Sequence, residues 1–348
     1  MALRAGDFVE VRSKEEILRT LDEHGRMEGL PFMPQMFQYC GQRFEVFKRA
    51  HKTCDTVTHT GGRRLPDAVH LNLRCDGGAY DGCQAACLIF WKEAWLNPVV
   101  PTASGTDDHA LRSSGGPRCA EEDVWNATRA RSPSGDGHIR YVCQATELPG
   151  FTTFLPWWDV RQYAEDFTSG NATPGRLFRG FVYLAFYHLA QTWRNRLGAP
   201  SRWAYDRFQA LWGGIPYPRR RGTIPSGDLT PTSTLDLQPG ELVRVKSYHE
   251  ILATVDTANK NRGLYFDAEQ VPFCGQVYRV QARLDKFIDE ATGKMRTLKT
   301  PAVILEGVWC NSRYSNRRMF CPRSIFAWWR ETWLERVPAS DQNRAAAP

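Results

Sequence analysis

Apolar and polar residues alternate from Phe8 to Arg12 (FVEVR) and again from Leu242 to Lys246 (LVRVK), the period of a half-buried strand. Each run is followed by a serine with a glutamate three residues on, Ser13-x-x-Glu16 and Ser247-x-x-Glu250. That pattern predicts a capping box opening a short helix, with Ile17, Leu18 and Leu21 facing inward in the first instance. A Gly-containing connection then leads to a second strand, Arg43 to Lys48 and Val277 to Arg283, and to a third, apolar one, Ala68 to Leu73 and Ala302 to Val308. Each series ends on a tryptophan-rich stretch, GCQAACLIFWKEAWL from Gly82 and FCPRSIFAWWRETWL from Phe320, whose tryptophans stand four apart and predict a Trp-bearing helix.

The two series are in register. A constant offset of 234 residues carries Gly6 onto Gly240, Ser13 onto Ser247, Gly29-Leu30 onto Gly263-Leu264, Cys40-Gly41-Gln42 onto Cys274-Gly275-Gln276 and Asp55 onto Asp289. After loops of different length the tryptophan stretches align without a gap. This predicts an internal duplication of one small α+β unit. Between the copies three helical patterns run from Asp159 to Ser169, Pro174 to Leu197 and Ser201 to Trp212, closed by Gly170, Gly198 and Gly213. Phe181 to Tyr187 is apolar on every face, so the middle helix is expected to be buried between the copies. The chain therefore divides into a first copy (1–96), a linker and Cys-containing loop segment (97–150), a helical insert (151–213), a Pro-rich tether (214–238), a second copy (239–338) and a disordered tail (339–348).

The openings GDFVEVRS and PFMPQMFQYCGQRFEV resemble the strand–long loop–strand start of SH3-like β-barrels, including those of nitrile hydratase β-subunits and KOW modules. The resemblance covers about the first 50 residues of each copy and implies a tandem SH3-like barrel protein. It does not imply nitrile hydration. In that family the metal-binding cysteine cluster belongs to the other subunit, and its Cys-x-x-Cys-Ser-Cys pattern is absent from this chain.

Composition narrows the class. The opening MALRAGDFVEVRS lacks the apolar run of a signal peptide, and no segment has the ~18 consecutive apolar residues of a membrane span. A cytoplasmic protein is expected, in which ten cysteines read as metal-binding or catalytic rather than cross-linked. The net charge of +7 is modest and the basic residues are scattered. A protein, peptide or nucleic-acid partner on the barrels is compatible with that charge but not demanded by it. There is no Gly-rich phosphate loop, dinucleotide fingerprint, HExxH or Gly-x-Ser-x-Gly elbow.

Three cysteines recur at equivalent places: Cys40 with Cys274, Cys75 with Cys310, and Cys83 with Cys321. Valine or alanine would fill the same space, so the recurrence points to metal or thiol chemistry. Pro322 directly after Cys321 places that cysteine, and by alignment Cys83, at a helix N-cap, where a thiolate is favoured. Both are candidate nucleophiles. Tetrahedral zinc needs a fourth ligand. Cys54, His51 and Cys87 are candidates in the first copy, whereas Ile288 and Asp285 stand opposite Cys54 and His51 in the second. Cys87 aligns with Ile325 on an apolar stripe, so core filling competes with ligation there. Cys119, His138 and Cys143 flank the SPSGDGH turn as further candidates. Glu93 and Glu331 read as solvated or ion-paired carboxylates. The expectation is a cysteine-ligated metal protein, zinc ahead of an iron–sulfur cluster because the spacings fit no compact cluster motif. The rivals are an SH3-like nucleic-acid or peptide binder, a tailoring or redox enzyme using an activated cysteine, and a metal-free scaffold with buried thiols.

Overall fold

In a computed structural model, residues 2–99, 118–131, 139–192, 198–211 and 214–338 are described. They form a mixed α+β protein of short helices and several small antiparallel sheets, divided into two compact units. Unit one is Met1–Pro174 together with Phe287–Arg296 and Phe320–Arg323, and unit two is Gly175–Lys286, Thr297–Met319 and Ser324–Pro348. Two short pieces of the C-terminal series thus belong to unit one. The linker residues 100–117, His138 and the tail 339–348 lie outside the described residues.

In unit one the Phe8–Val11 strand lies between Arg43–Glu45 and Leu96–Pro98, with Val9 opposite Phe44 on one side and Pro98 on the other. Beside it Ala68–His70 pairs with Lys48–Arg49 and with Trp91–Lys92. Lys52–Cys54, Gly62–Arg64 and Thr153–Leu155 make a further three-stranded sheet. Unit two carries a sheet of five strands in the order Phe326–Arg330, Met295–Trp309, Val277–Ile288, Leu242–Val245, Leu334–Arg336. Its two edge strands are joined by a single 3₁₀ turn, Glu331–Trp333. The edges of a flat five-stranded sheet stand roughly 19 Å apart, whereas three residues of 3₁₀ helix advance only about 6 Å. The sheet must therefore curl strongly, although among the described residues no pairing closes it into a ring.

Both capping boxes form. The Glu16 amide donates to Ser13 Oγ at 3.3 Å and the Ser13 amide to Glu16 Oε2 at 2.9 Å, and Ser247 and Glu250 repeat both distances. Replacing Ser247 by alanine is expected to lower stability by ~1 kcal/mol, read as a shift in the urea midpoint with unchanged slope. An unmoved midpoint would show that this cap carries no stability.

The tryptophan stretches are not helices. Each runs as strand, one 3₁₀ turn and strand: Trp91–Lys92, Glu93–Trp95, Leu96–Pro98, and Phe326–Arg330, Glu331–Trp333, Leu334–Arg336. The chain turns a corner between the paired tryptophans, so residues four apart face the same core without a helix. Trp91, Trp95, Trp329 and Trp333 are fully buried. Phe32 meets Trp95 edge-on at 5.2 Å and Phe266 meets Trp333 at 5.3 Å, while both indole N–H groups donate over 3.0 Å, to Thr20 and Thr254. Every buried indole nitrogen with a partner relieves a desolvation cost. The glutamates inside the turns are clamps rather than solvated groups. Glu331 accepts the amides of Leu235, Asp236 and Leu237, and Glu93 accepts that of Leu3 and pairs with Arg49.

Helices occupy Arg161–Thr168, Pro174–Thr192 and Gly198–Leu211. The middle one is buried on one face only: Tyr183 and Leu184 are inside, but Phe178 and Phe181 are exposed. No described helix is long and apolar enough to cross a membrane.

Candidate functional site

Four cysteines of unit one line a single cavity of about 30 Å³: Cys75, Cys83, Cys87 and Cys143. Local chain geometry assembles the first three. The Cys75 amide donates to the Cys87 carbonyl at 2.9 Å, holding the two strand ends together. Between them the chain reverses at Gly77, whose carbonyl accepts the amides of Tyr80 and Gly82, each at 2.9 Å. Gly77 has φ +76°, and a Cβ there would stand 2.1 Å from the Cys83 carbonyl oxygen. Only glycine permits this return, so CDGGAYDGC is the sequence device that brings Cys83 back beside Cys75. Ala86, between Cys83 and Cys87, sits at φ 48°, an uncommon conformation for alanine that costs of order 1–3 kcal/mol. Strain of that kind clusters at functional loops.

Cys143 arrives from elsewhere in the sequence. The next side chain, Gln144, accepts the Phe90 amide at 2.8 Å and donates to the carbonyls of Phe90 and Pro31, both at 3.0 Å. This buried amide pins the Cys143 segment against the strand that follows Cys87. The C-terminal series adds Ile288, Glu290 and Arg323 to the wall. Arg323, almost fully buried, makes two 3.0 Å bonds to Glu290 and one of 2.7 Å to Thr56. Its charge is matched, leaving the thiols as the reactive groups of the cavity.

Two of the sulfurs accept hydrogen bonds. The Gln35 side-chain amide donates to Cys75 Sγ at 3.1 Å and the Ile288 backbone amide to Cys83 Sγ at 3.3 Å. Donors aimed at sulfur favour the thiolate. Burial opposes it: the Cys75 thiol is pushed up to about 12, and those of Cys87 and Cys143 are raised, first by burial. Arg323, which also lines the cavity, lowers the Cys87 value but does not overcome burial there. A divalent ion is the species that reverses this balance, since coordination deprotonates a thiol outright. Among the described residues no three ligating side chains already converge on one point, so the thiols as they stand do not form a metal site.

The other cysteines are dispersed. Cys40 ends the Pro34–Tyr39 3₁₀ helix, beside Lys14 and Glu15, and does not line the cavity. Cys274 ends the matching turn in unit two, its thiol pushed up to about 12 by burial, and Cys310 lies 3.4 Å from Ser312 Oγ. Cys321 belongs to unit one, so the C-terminal trio is divided between the units. Its sulfur accepts the Cys54 amide at 3.1 Å. His51 is buried 3.3 Å from Asp166, and Cys119 is buried beside the Glu121–Asn126 helix; neither lines the cavity. Because the tryptophan stretches are not helical, Cys83 and Cys321 have no helix N-terminus beside them to favour a thiolate.

The contacts to sulfur are reciprocal between the two series, the donors standing 234 residues apart and the acceptors, Cys83 and Cys321, 238 apart. Residue 54 donates its amide to Cys321, and residue 288, its counterpart, donates to Cys83. Thr56 and its counterpart Glu290 bond to each other. Sequence reasoning missed Gln144, Glu290 and Arg323, and gave Cys143 too little weight. The one available signal was Arg323 standing two residues after Cys321 where the first series has Ala85. No known protein family matches the chain, and no curated protein is detectably similar to it in sequence.

Proposed function

We propose that unit one is a cysteine-ligated metal centre, built from Cys75, Cys83, Cys87 and Cys143, in a protein made of two duplicated SH3-like barrel units. The observation that carries this reading is the gathering of four thiols from two distant segments around one small cavity, two of them already receiving N–H donors. Four sulfur ligands suit tetrahedral zinc. A cavity of about 30 Å³ admits a single ion more readily than a four-iron cluster, which favours zinc over iron–sulfur. Four protein ligands leave no open position, so the role is structural: the metal fastens the Cys83 loop, to which Ile288 is bonded, onto the Cys143 segment. A reducing cytoplasm is the compartment in which such thiols stay available. The duplication is supported by the matching capping boxes, tryptophan corners and sulfur contacts. The barrel reading is supported by the curled five-stranded sheet of unit two.

The test is metal content of the full chain purified under reducing conditions and again after zinc reconstitution. One zinc per chain is expected, lost in Cys83→Ser and Cys143→Ser but kept in Cys40→Ser and Cys274→Ser. Cobalt substituted at the site should show the intense sulfur-to-metal absorption of a thiolate tetrahedron. Failure to bind zinc in either preparation, or loss of zinc in the Cys40 and Cys274 variants alone, would overturn the proposal.

A further inference from the structure

A second cavity lies wholly within unit two and is unrelated to the thiols. It encloses about 410 Å³, within the range of ~300–1,000 Å³ typical of small-molecule sites. One wall is a stripe of the Pro174–Thr192 helix: Gly175, Phe178, Arg179 and Val182 follow one another at the three- and four-residue steps that share a helix face. Phe208 of the Gly198–Leu211 helix, Ile215, Pro272 and Tyr314 supply the apolar remainder.

Gln209 and Gly214 also line it, as do two arginines, Arg179 and Arg313, neither of which makes a salt bridge among the described residues. The Arg313 guanidinium lies 5.2 Å from the centroid of the Tyr314 ring, and its Nε is buried without a hydrogen-bond partner. A buried, unbonded guanidinium nitrogen is costly unless something else accepts from it. Neither nearby acid forms a salt bridge with Arg313, although Glu269 keeps one oxygen, Oε2, without a partner. Asp206 holds Arg220 and the Tyr217 amide, and Glu269 accepts the Tyr314 amide. The cavity thus combines an apolar, aromatic body with two cationic donors that lack an anion. The first turn of a 19-residue helix, at Gly175, opens on the same space and adds the positive end of its dipole.

We infer that this cavity binds a small carboxylate with an aromatic or aliphatic body, its anionic head held by Arg179 and Arg313 and its body packed among Phe178, Val182, Phe208 and Tyr314. The guanidinium fork matches a carboxylate bidentately, and the ring-lined wall takes the apolar part. Nothing in this assignment depends on the metal centre.

The experiment compares 4-phenylbutyrate with its neutral analogue 4-phenylbutanol by isothermal titration of the full chain. The acid is expected to bind at least tenfold more tightly than the alcohol. Arg179→Ala, a change at an exposed side chain, should remove most of that preference while leaving the alcohol unaffected, and Arg313→Ala should do the same. Val182→Trp should abolish binding of both by filling the cavity. Thermal melts establish that each variant is folded, and if Arg313→Ala is not, Arg179→Ala alone decides the charge question. Equal binding of acid and alcohol, no binding of either at millimolar concentration, or full binding by the folded Val182→Trp variant would each overturn the inference.

Discussion

Asp166→Ala is expected to lower the unfolding free energy by about 3–5 kcal/mol, the cost of stranding one member of a buried ion pair. Asp166 is fully buried on the Arg161–Thr168 helix, and its Oδ2 accepts from Lys52 Nζ at 2.5 Å. Lys52 is itself only 2% exposed, so without Asp166 its ammonium has no water to turn to. It would keep Gln162 Oε1 at 3.3 Å and the faces of Tyr163 and Phe320 at 5.0 and 5.8 Å, none of which carries a negative charge. Removing both charges together, as Lys52→Met with Asp166→Leu, should cost far less than Asp166→Ala alone, because no charge is then left unpaired. Urea denaturation of the three proteins checks this. Equal losses in the single and double variants would show that packing, not charge, dominates the site.

The pH dependence separates the same alternatives. Burial lowers the Lys52 value, and Asp166 opposes that shift. Without Asp166 the lysine falls further, so the unfolded chain holds a proton that the folded variant gives up more easily. Where the unfolded state binds more protons, stability rises with pH. The deficit of Asp166→Ala relative to the parent protein should therefore shrink as pH is raised from 7 toward 10. A deficit independent of pH would point to lost packing instead.

What could be read from sequence were features that a few adjacent residues decide alone. Ser13 and Ser247 cap their helices because a serine and a glutamate three apart satisfy each other's backbone amides wherever they occur. The tryptophan stretches were misread because a four-residue spacing serves a helix and a strand–turn–strand corner equally well. The run Leu88-Ile89-Phe90-Trp91 was the strand-like feature that the spacing overshadowed. At the thiol site, Cys75 and Cys83 were expected together but in company with Cys40, and Cys87 read as core filling as much as ligand; Gly77 explains the approach of Cys83 to Cys75. Cys143 was not visible as their neighbour, because Gln144 joins it to Phe90 across 54 residues of chain. Glu290 and Arg323 were still further from view. Their place in unit one follows from tertiary packing of the Phe287–Arg296 and Phe320–Arg323 segments, which no periodicity encodes.

The second large effect is expected at Glu269, and its sign is opposite to that of Asp166. Burial, reinforced by Asp267 and opposed by the Tyr314 and Arg313 amides and by Arg219, pushes this carboxyl up to about 7 from an ordinary 4.5. One oxygen accepts the Tyr314 amide, while Oε2 is buried without a partner. A carboxyl whose folded value is raised favours the folded state fully below its unfolded value and loses that contribution as pH climbs through the folded one. Stability should therefore decline between about pH 4.5 and 7, by ~3 kcal/mol for a shift of this size, and this group should add no further slope above that window. Glu269→Gln keeps an oxygen for the Tyr314 amide and removes the titration. Glutamine already stands at the counterpart position, Gln35. The variant should match the parent protein near pH 4.5 and exceed it by about 2–3 kcal/mol at pH 8, the gap opening across the same window. Unfolding free energies measured at half-unit steps from pH 4.5 to 8 provide the check. Parallel curves for the two proteins would mean that Glu269 ionises as an ordinary carboxylate and that water or a side-chain movement reaches Oε2.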